Sequence, residues 1–236
     1  MFRKSALIAL AVFVAYPASA QQWDWKLTPY LWAAGIDGSA SIGPVTADAS
    51  VSFSDIVDVL RGGALVRLEA QKDQHGIYGD LLYLRLKDEE AKDTIGGSLE
   101  LKLDAFIAEG AYFYRINETY ALEAGARYWD FETTLRPELL PAVERSSDFV
   151  DAFIGFRAGF DVNDNWDILF RGNVGGGGSD FTAGLQIDFR RQFANGNTLD
   201  IGYRALDIEY EDGEGLSAVG LDLSMQGLAI GYTFDL

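Results

Sequence analysis

Apolar and polar positions alternate strictly along much of this chain. In residues 181–193, Phe181, Ala183, Leu185, Ile187 and Phe189 fall on one face. Thr182, Gly184, Gln186, Asp188 and Arg190 fall on the other. Residues 149–162 repeat the pattern, with Val150, Ala152, Ile154, Phe156, Ala158 and Phe160 set against Asp151, Gly155, Arg157, Gly159 and Asp161. Period two is the mark of a strand whose two faces meet different surroundings, and these runs exceed ordinary globular strands. A soluble sandwich would alternate too. Here, however, the polar face mixes glycine with charges of both signs and few lysines, as the lumen of a transmembrane barrel would.

Turn signals divide the chain at even spacing. Short polar connections at 71–76, 117–119, 162–165 and 195–197 alternate with longer ones at 43–62, 88–97, 136–148, 175–179 and 211–215. Tight turns at one end and longer loops at the other suit an outer-membrane barrel. The predicted strands lie near 23–40, 62–72, 76–88, 98–115, 119–135, 148–162, 166–176, 180–193, 198–210 and 217–236. The fold class is therefore all-β, a single antiparallel up-and-down barrel of about ten strands, with eight or twelve as alternatives. Aromatic residues fall where the strands would cross the two interfaces: Trp23, Trp25, Tyr114, Tyr120, Phe160, Trp166 and Phe193 near the periplasmic ends, and Trp32, Trp129, Phe131, Phe181 and Tyr210 near the outer ends.

The first twenty residues stand apart. Arg3 and Lys4 precede the apolar run ALIALAVFVA and then YPASA, with Ala18 and Ala20 in the small-x-small cleavage pattern. This predicts a signal peptide over residues 1–20 and a barrel over 21–236. Cleavage removes two of the 19 basic residues and none of the 36 acidic ones, leaving a net charge of −19. Nucleic acid is a poor partner for such a surface. Cysteine is absent, so no disulfide framework holds the exported chain.

One phrase is written twice, LEAGARYWDFE at 122–132 and LDIGYRALDIE at 199–209. In a barrel it reads as the lumen side of two upward strands. Inward candidates are Arg67, Lys102, Arg127, Arg157, Arg171, Arg190 and Arg204. Facing them are Glu69, Asp80, Glu100, Asp104, Glu123, Asp130, Glu132, Asp151, Asp161, Asp167, Asp188, Asp200, Asp207 and Glu209. The alternation changes sense after Tyr128 and after Ala205, which suggests a bulge in each copy. Face parity, with a three-residue turn centred on Glu118 or Gly196, sets Glu109 opposite Arg127 and Asp188 opposite Arg204.

Catalytic chemistry finds little footing. The omptin proteases and the lipid A deacylases and acyltransferases rely on a histidine near the outer rim. The single histidine here, His75, falls in a periplasmic turn. GGGG at 175–178 lacks the Gly-Lys-Ser/Thr of a phosphate loop and reads as a flexible outer loop. The acidic runs at 88–90 and 211–214 miss the spacing of a calcium loop, although they could hold divalent cations that bridge lipopolysaccharide. No cofactor, catalytic residue or metal site is expected.

The closing residues IGYTFDL put Ile230, Tyr232, Phe234 and Leu236 on the outward face, with Gly231 five positions before the end. They resemble the C-terminal signal read by the barrel-assembly machinery of Gram-negative bacteria, which usually ends in Phe rather than Leu. Pro29, Tyr30, Leu31 and Trp32, followed by Phe53, Ser54 and Asp55, resemble a largely uncharacterised family of small Gram-negative outer-membrane barrel proteins. That resemblance implies a barrel surrounded by outer-membrane lipid and lipopolysaccharide, and it implies no catalytic residues. Ser54 is a candidate cap for a short helix in the first outer loop, with Phe53, Ile56, Val57 and Leu60 on one face, acting as a lid or a ligand gate. Two functions fit: an envelope structural protein or small gated, cation-favouring channel with a narrow charged lumen, or a transporter or binder of small solutes, hydrophobic ones included. An outer-membrane enzyme fits least.

Overall fold

The computed structural model describes residues 23–42, 45–55, 60–92, 98–137, 143–213 and 218–236. The expected signal peptide lies outside them. Eleven strands follow one another: β1 (Asp24–Ile42), β2 (Val45–Val51), β3 (Leu60–Lys72), β4 (His75–Lys92), β5 (Ser98–Arg115), β6 (Tyr120–Pro137), β7 (Val143–Asn163), β8 (Trp166–Gly177), β9 (Phe181–Gln192), β10 (Thr198–Asp212) and β11 (Val219–Asp235). From β3 to β11 each strand pairs antiparallel with the next, and β11 closes onto β1 from Ile42↔Val219 down to Lys26↔Asp235. β2 and β3 occupy one row beside β1, β2 along 36–42 and β3 along 24–29. The wall is therefore a closed ten-stranded barrel.

Short turns gather at the end that holds both termini. Asp73, with φ of 53°, turns β3 into β4, and Gly196, with φ of 86°, sits in the 193–197 turn, where a positive φ suits glycine. At the other end, the connections expected as long loops are largely strand. β4 runs on to Lys92, β6 to Pro137, and β7 starts at Val143. The 43–62 connection contains β2 and a helical turn at 53–55. Ser52, not Ser54, caps that turn: its Oγ accepts from Asp55 N at 3.3 Å, and the Asp55 carboxylate accepts from Ser52 N at 3.2 Å. Phe53 is exposed, Ile56 and Val57 lie outside the described residues, and Leu60 already belongs to β3.

The suggested bulges after Tyr128 and Ala205 are absent. The ladders of β6 with β5 and β7, and of β10 with β9 and β11, run without a register shift. Trp129 and Phe131 therefore stay on the lumen side with Glu123 and Arg127. Leu206 and Ile208 stay there with Arg204. Trp129 and Ile208 are 0% exposed. Side-chain direction holds constant while polarity reverses. Strands β5, β6 and β7 are 18, 18 and 21 residues long, and only about 9–11 residues are needed to cross a hydrocarbon core. The outer part of each strand stands clear of lipid, where its outward face meets water and its inward face makes an apolar core.

The outward surface shows the same boundary. Leu31, Leu68, Leu81, Leu122, Ile154, Leu185, Phe189, Ile201, Leu228 and Ile230 form an exposed apolar belt. Trp23, Trp25, Tyr114, Tyr120, Phe160 and Phe193 ring its periplasmic edge. The expected outer ring is mostly elsewhere. Of its members only Phe181 is exposed, whereas Trp32, Trp129, Phe131 and Tyr210 line the upper core.

Candidate functional site

The lumen is filled in two tiers. In the lower tier, alternate residues of nearly every strand project polar groups into one network. Arg127 is 1% exposed. Its Nε donates to Glu109 Oε2 at 2.7 Å, its Nη1 to Thr182 Oγ1 at 2.7 Å and its Nη2 to Asn173 Oδ1 at 2.9 Å. Arg171 bridges Glu109 and Glu123, and Arg157 bridges Glu123 and Glu69. The Tyr78 ring packs against the guanidinium groups of Arg157 at 4.6 Å and Arg171 at 4.1 Å, and its hydroxyl donates to Glu109. Arg127, Arg157 and Arg171 thus balance Glu69, Glu109 and Glu123. Buried charges are tolerated when paired and hydrogen-bonded in this way.

A second cluster adjoins the first. Asp80 accepts from Arg67 at 2.6 Å, from Tyr30 at 2.7 Å and from Arg204 at 3.2 Å. Arg67 also reaches Gln186, whose amide donates to Asp188. Glycine makes room for these heads. A Cβ on Gly202 would strike the Asp188 carboxylate, and one on Gly184 would crowd Asn173 and Arg127.

The upper tier is apolar. Leu82, Ile107, Trp129, Leu206 and Ile208 are buried together, and Trp32, Leu65, Phe131, Phe149, Tyr210 and Met225 pack around them. Phe149 stacks on Tyr210 at 4.6 Å. Asp151 anchors this tier, accepting from Trp129 Nε1 at 2.8 Å and from Ser179 N at 2.7 Å. The 175–178 glycine run is accordingly pinned rather than flexible: β8 continues to Gly177, and Gly178 N donates to Val150 O.

Glu109 stands opposite Arg127 in the β5–β6 ladder. Asp188 does not stand opposite Arg204. It faces Gly202, and Arg204 faces Gln186, because the β9–β10 ladder is shifted by two residues from the expected register. Arg190 binds Asp167 near the periplasmic end, and Asp161 and Asp200 also lie there. Asp104, Asp130, Glu132, Asp207 and Glu209 are on the outer wall, not in the lumen. Asp104 makes an exposed pair with Arg85. The side chains of Glu100 and Lys102 lie outside the described residues, as do those of the 88–90 acidic run. Gly231 is buried against Thr28 and Tyr30, and Phe234 and Leu236 point outward at the closing strand. His75 sits at the β3–β4 turn beside Tyr112. Tyr30, Tyr78, Asn173, Thr182 and Gln186 complete the network, although the alternation assigns none of them a role beyond placing Thr182 and Gln186 on the polar face. Their parity with neighbouring charges, such as Tyr78 with Asp80, was the available signal.

Little space remains. A cavity of about 70 Å³ lies among Tyr30, Arg67, Glu69, Asp188, Asp200 and Arg204. Below it a periplasmic vestibule of about 450 Å³ is lined by Asp24, Lys26, Glu69, Gln71 and Asp235. Where the tiers meet beside Arg127 and Leu206, a pocket of about 10 Å³ has room for no more than one water. Among the described residues no cluster of three or more metal-ligating side chains occurs.

Comparison with family models and with curated sequences finds no match. Solved structures do match in fold. The outer-membrane protease OmpT from Escherichia coli aligns with a TM-score of 0.53 at 8% identity, over 92% of this chain and 99% of its own. The attachment invasion locus protein Ail of Yersinia pestis, in complex with sucrose octasulfate, aligns at 0.43 and 9%, over 90% and 100%. Identity this low carries the fold and no activity. The closed barrel and its outward apolar belt place the chain in the outer membrane of a Gram-negative bacterium.

Proposed function

We propose that this barrel is a sealed structural element of the outer membrane rather than a conduit. The observation that carries this reading is the double closure of the axis. A charge-balanced network is capped by an apolar core, and the pocket beside Arg127, Arg204 and Leu206, where the two meet, measures about 10 Å³. An ion would have to break buried pairs and then cross a dry tier. Placing Asp104, Asp130, Glu132, Asp207 and Glu209 on the outer wall narrows the acid surplus of the lumen without removing it, since Glu69, Asp80, Glu109, Glu123, Asp151, Asp161, Asp167, Asp188 and Asp200 still outnumber the inward arginines. Proteolytic chemistry lacks support, since the single histidine is at the periplasmic turn. The 70 Å³ cavity is too small for a solute larger than a few waters. We read Phe234 and Leu236 as the handle for the barrel-assembly machinery, and deleting residues 234–236 should leave the chain unassembled.

The test is single-channel recording of the refolded protein in a planar bilayer. The expected record shows no resolvable steps. Reproducible steps at moderate voltage would overturn the sealed reading.

A further inference from the structure

Within the closed barrel, the β1 ladder on the β2/β3 side is interrupted among the described residues. β3 pairs with β1 only as far as Pro29↔Val66, and β2 joins β1 only from Ile36↔Val51. Between them, β1 residues 30–35 have no strand partner on that side among the described residues, and β3 residues 60–65 have none toward β1. β3 meanwhile remains paired with β4 along its whole length, with an irregularity between Leu60 and Gly62. At about 3.3 Å per residue the open seam is about 20 Å long.

Its position decides what can occupy it. Along β11, Leu31 stands beside Ile230, Ala33 beside Leu228 and Gly35 beside Gln226. Along β4, Ala64 stands beside Tyr83. Leu228 and Ile230 are belt residues, whereas Gln226 and, above it, Asp222 are exposed and polar. The seam therefore straddles the outer edge of the lipid belt and is continuous with it through Leu31, Leu68 and Leu81, all exposed. Behind the seam stand Trp32, Leu65 and Leu82, the lower margin of the apolar tier. The slot is apolar in front and behind, and its two sides are strand edges without a ladder partner among the described residues. Such edges are costly at membrane depth without a partner.

We propose that the β1–β3 seam is a lateral binding slot for an acyl lipid of the surrounding outer leaflet. One chain inserts against Leu65 and Leu82, and the ester, amide or hydroxyl groups of the lipid linkage hydrogen-bond to the open edges of β1 and β3. Those linkage groups lie at the depth where the belt ends. The slot opens sideways and leaves the axial closure untouched, so the proposal stands apart from the sealed-barrel reading and goes beyond it.

The test is photocrosslinking in phosphatidylcholine vesicles doped with a phosphatidylcholine bearing a diazirine on one acyl chain, with adducts mapped by peptide mass spectrometry. Lipid adducts are expected on inward-facing Leu65 or Leu82 as well as on outward Leu81 and Leu228. The chain has no native cysteine, so L31C/A64C can be joined to staple the seam. The staple should reduce the inward adducts at least tenfold and leave the outward ones unchanged. If the staple does not close, Ala33→Trp, which fills the rim, should have the same effect. Adducts confined to outward residues would overturn the proposal, as would inward adducts that persist when the seam is stapled or filled.

Discussion

The two tiers of the lumen use one set of strands and opposite chemistries. On β6, Glu123 and Arg127 sit in the lower tier, and Trp129 follows on the same face in the upper one. On β10, Arg204 is followed by Leu206 and Ile208. Outside, the order is reversed: Leu122 and Ile201 are apolar, and Asp130 and Asp207 further along are charged. Lipid around the lower wall demands an apolar exterior, which leaves polar residues for the interior. Water around the upper wall lifts that demand, and the ordinary hydrophobic effect gathers apolar side chains inside. A change of solvent along the barrel axis accounts for both tiers without any change of register.

Substitutions can break each side of this contrast. The largest loss is expected for Arg127→Ala, which strips partners from Glu109, Thr182 and Asn173 in a dry site. Loss of one member of a buried pair costs about 3–5 kcal/mol, read by urea unfolding of the refolded barrel in vesicles. In the upper tier, Leu206→Ala should cost about 3 kcal/mol by leaving a cavity under Trp129, with no change in lumen charge. On the exterior, Ala124→Arg, deeper in the belt than Leu122, should cost about 2–4 kcal/mol near the bilayer middle. Asp207→Arg, above the boundary on the same wall, should stay within about 0.5 kcal/mol. Equal penalties at those two sites would erase the boundary. Double-mutant cycles should give about 1–3 kcal/mol of coupling for Glu109 with Arg127 and none for Asp188 with Arg204, which the register separates. At the exposed Arg85–Asp104 pair, Arg85→Ala should cost below about 1 kcal/mol.

Much of this was legible in the sequence, and the failures have a common source. Alternation gave ten strands, both termini at the short-turn end, and the pairing of Glu109 with Arg127. It could not separate a slipped register from a changed exterior, because both turn an inward-polar strand into an inward-apolar one. Asp130, Glu132, Asp207 and Glu209 were therefore assigned to the lumen, and Trp129 and Tyr210 to a lipid-facing ring. The Asp188–Arg204 error arose in the turn. Parity allows any odd count between paired residues, and the 193–197 turn is two residues out from the assumed one, which moves every partner along β9 by two. Tyr30 and Tyr78 were overlooked because a tyrosine on the polar face declares its role only when an arginine is beside it.

The reversal itself is tested most directly on β6. Cysteines placed singly from Leu122 to Glu132 in this cysteine-free chain can carry a nitroxide label. Its collisions with oxygen, concentrated in lipid, and with a water-soluble nickel complex are then compared by electron paramagnetic resonance. Labels at 122, 124 and 126 should meet oxygen, labels at 130 and 132 should meet nickel, and labels at 127, 129 and 131 should meet little of either. Oxygen contact at 129 and 131 would show that the strand slips by one residue after Tyr128, and the two-tier account would fail.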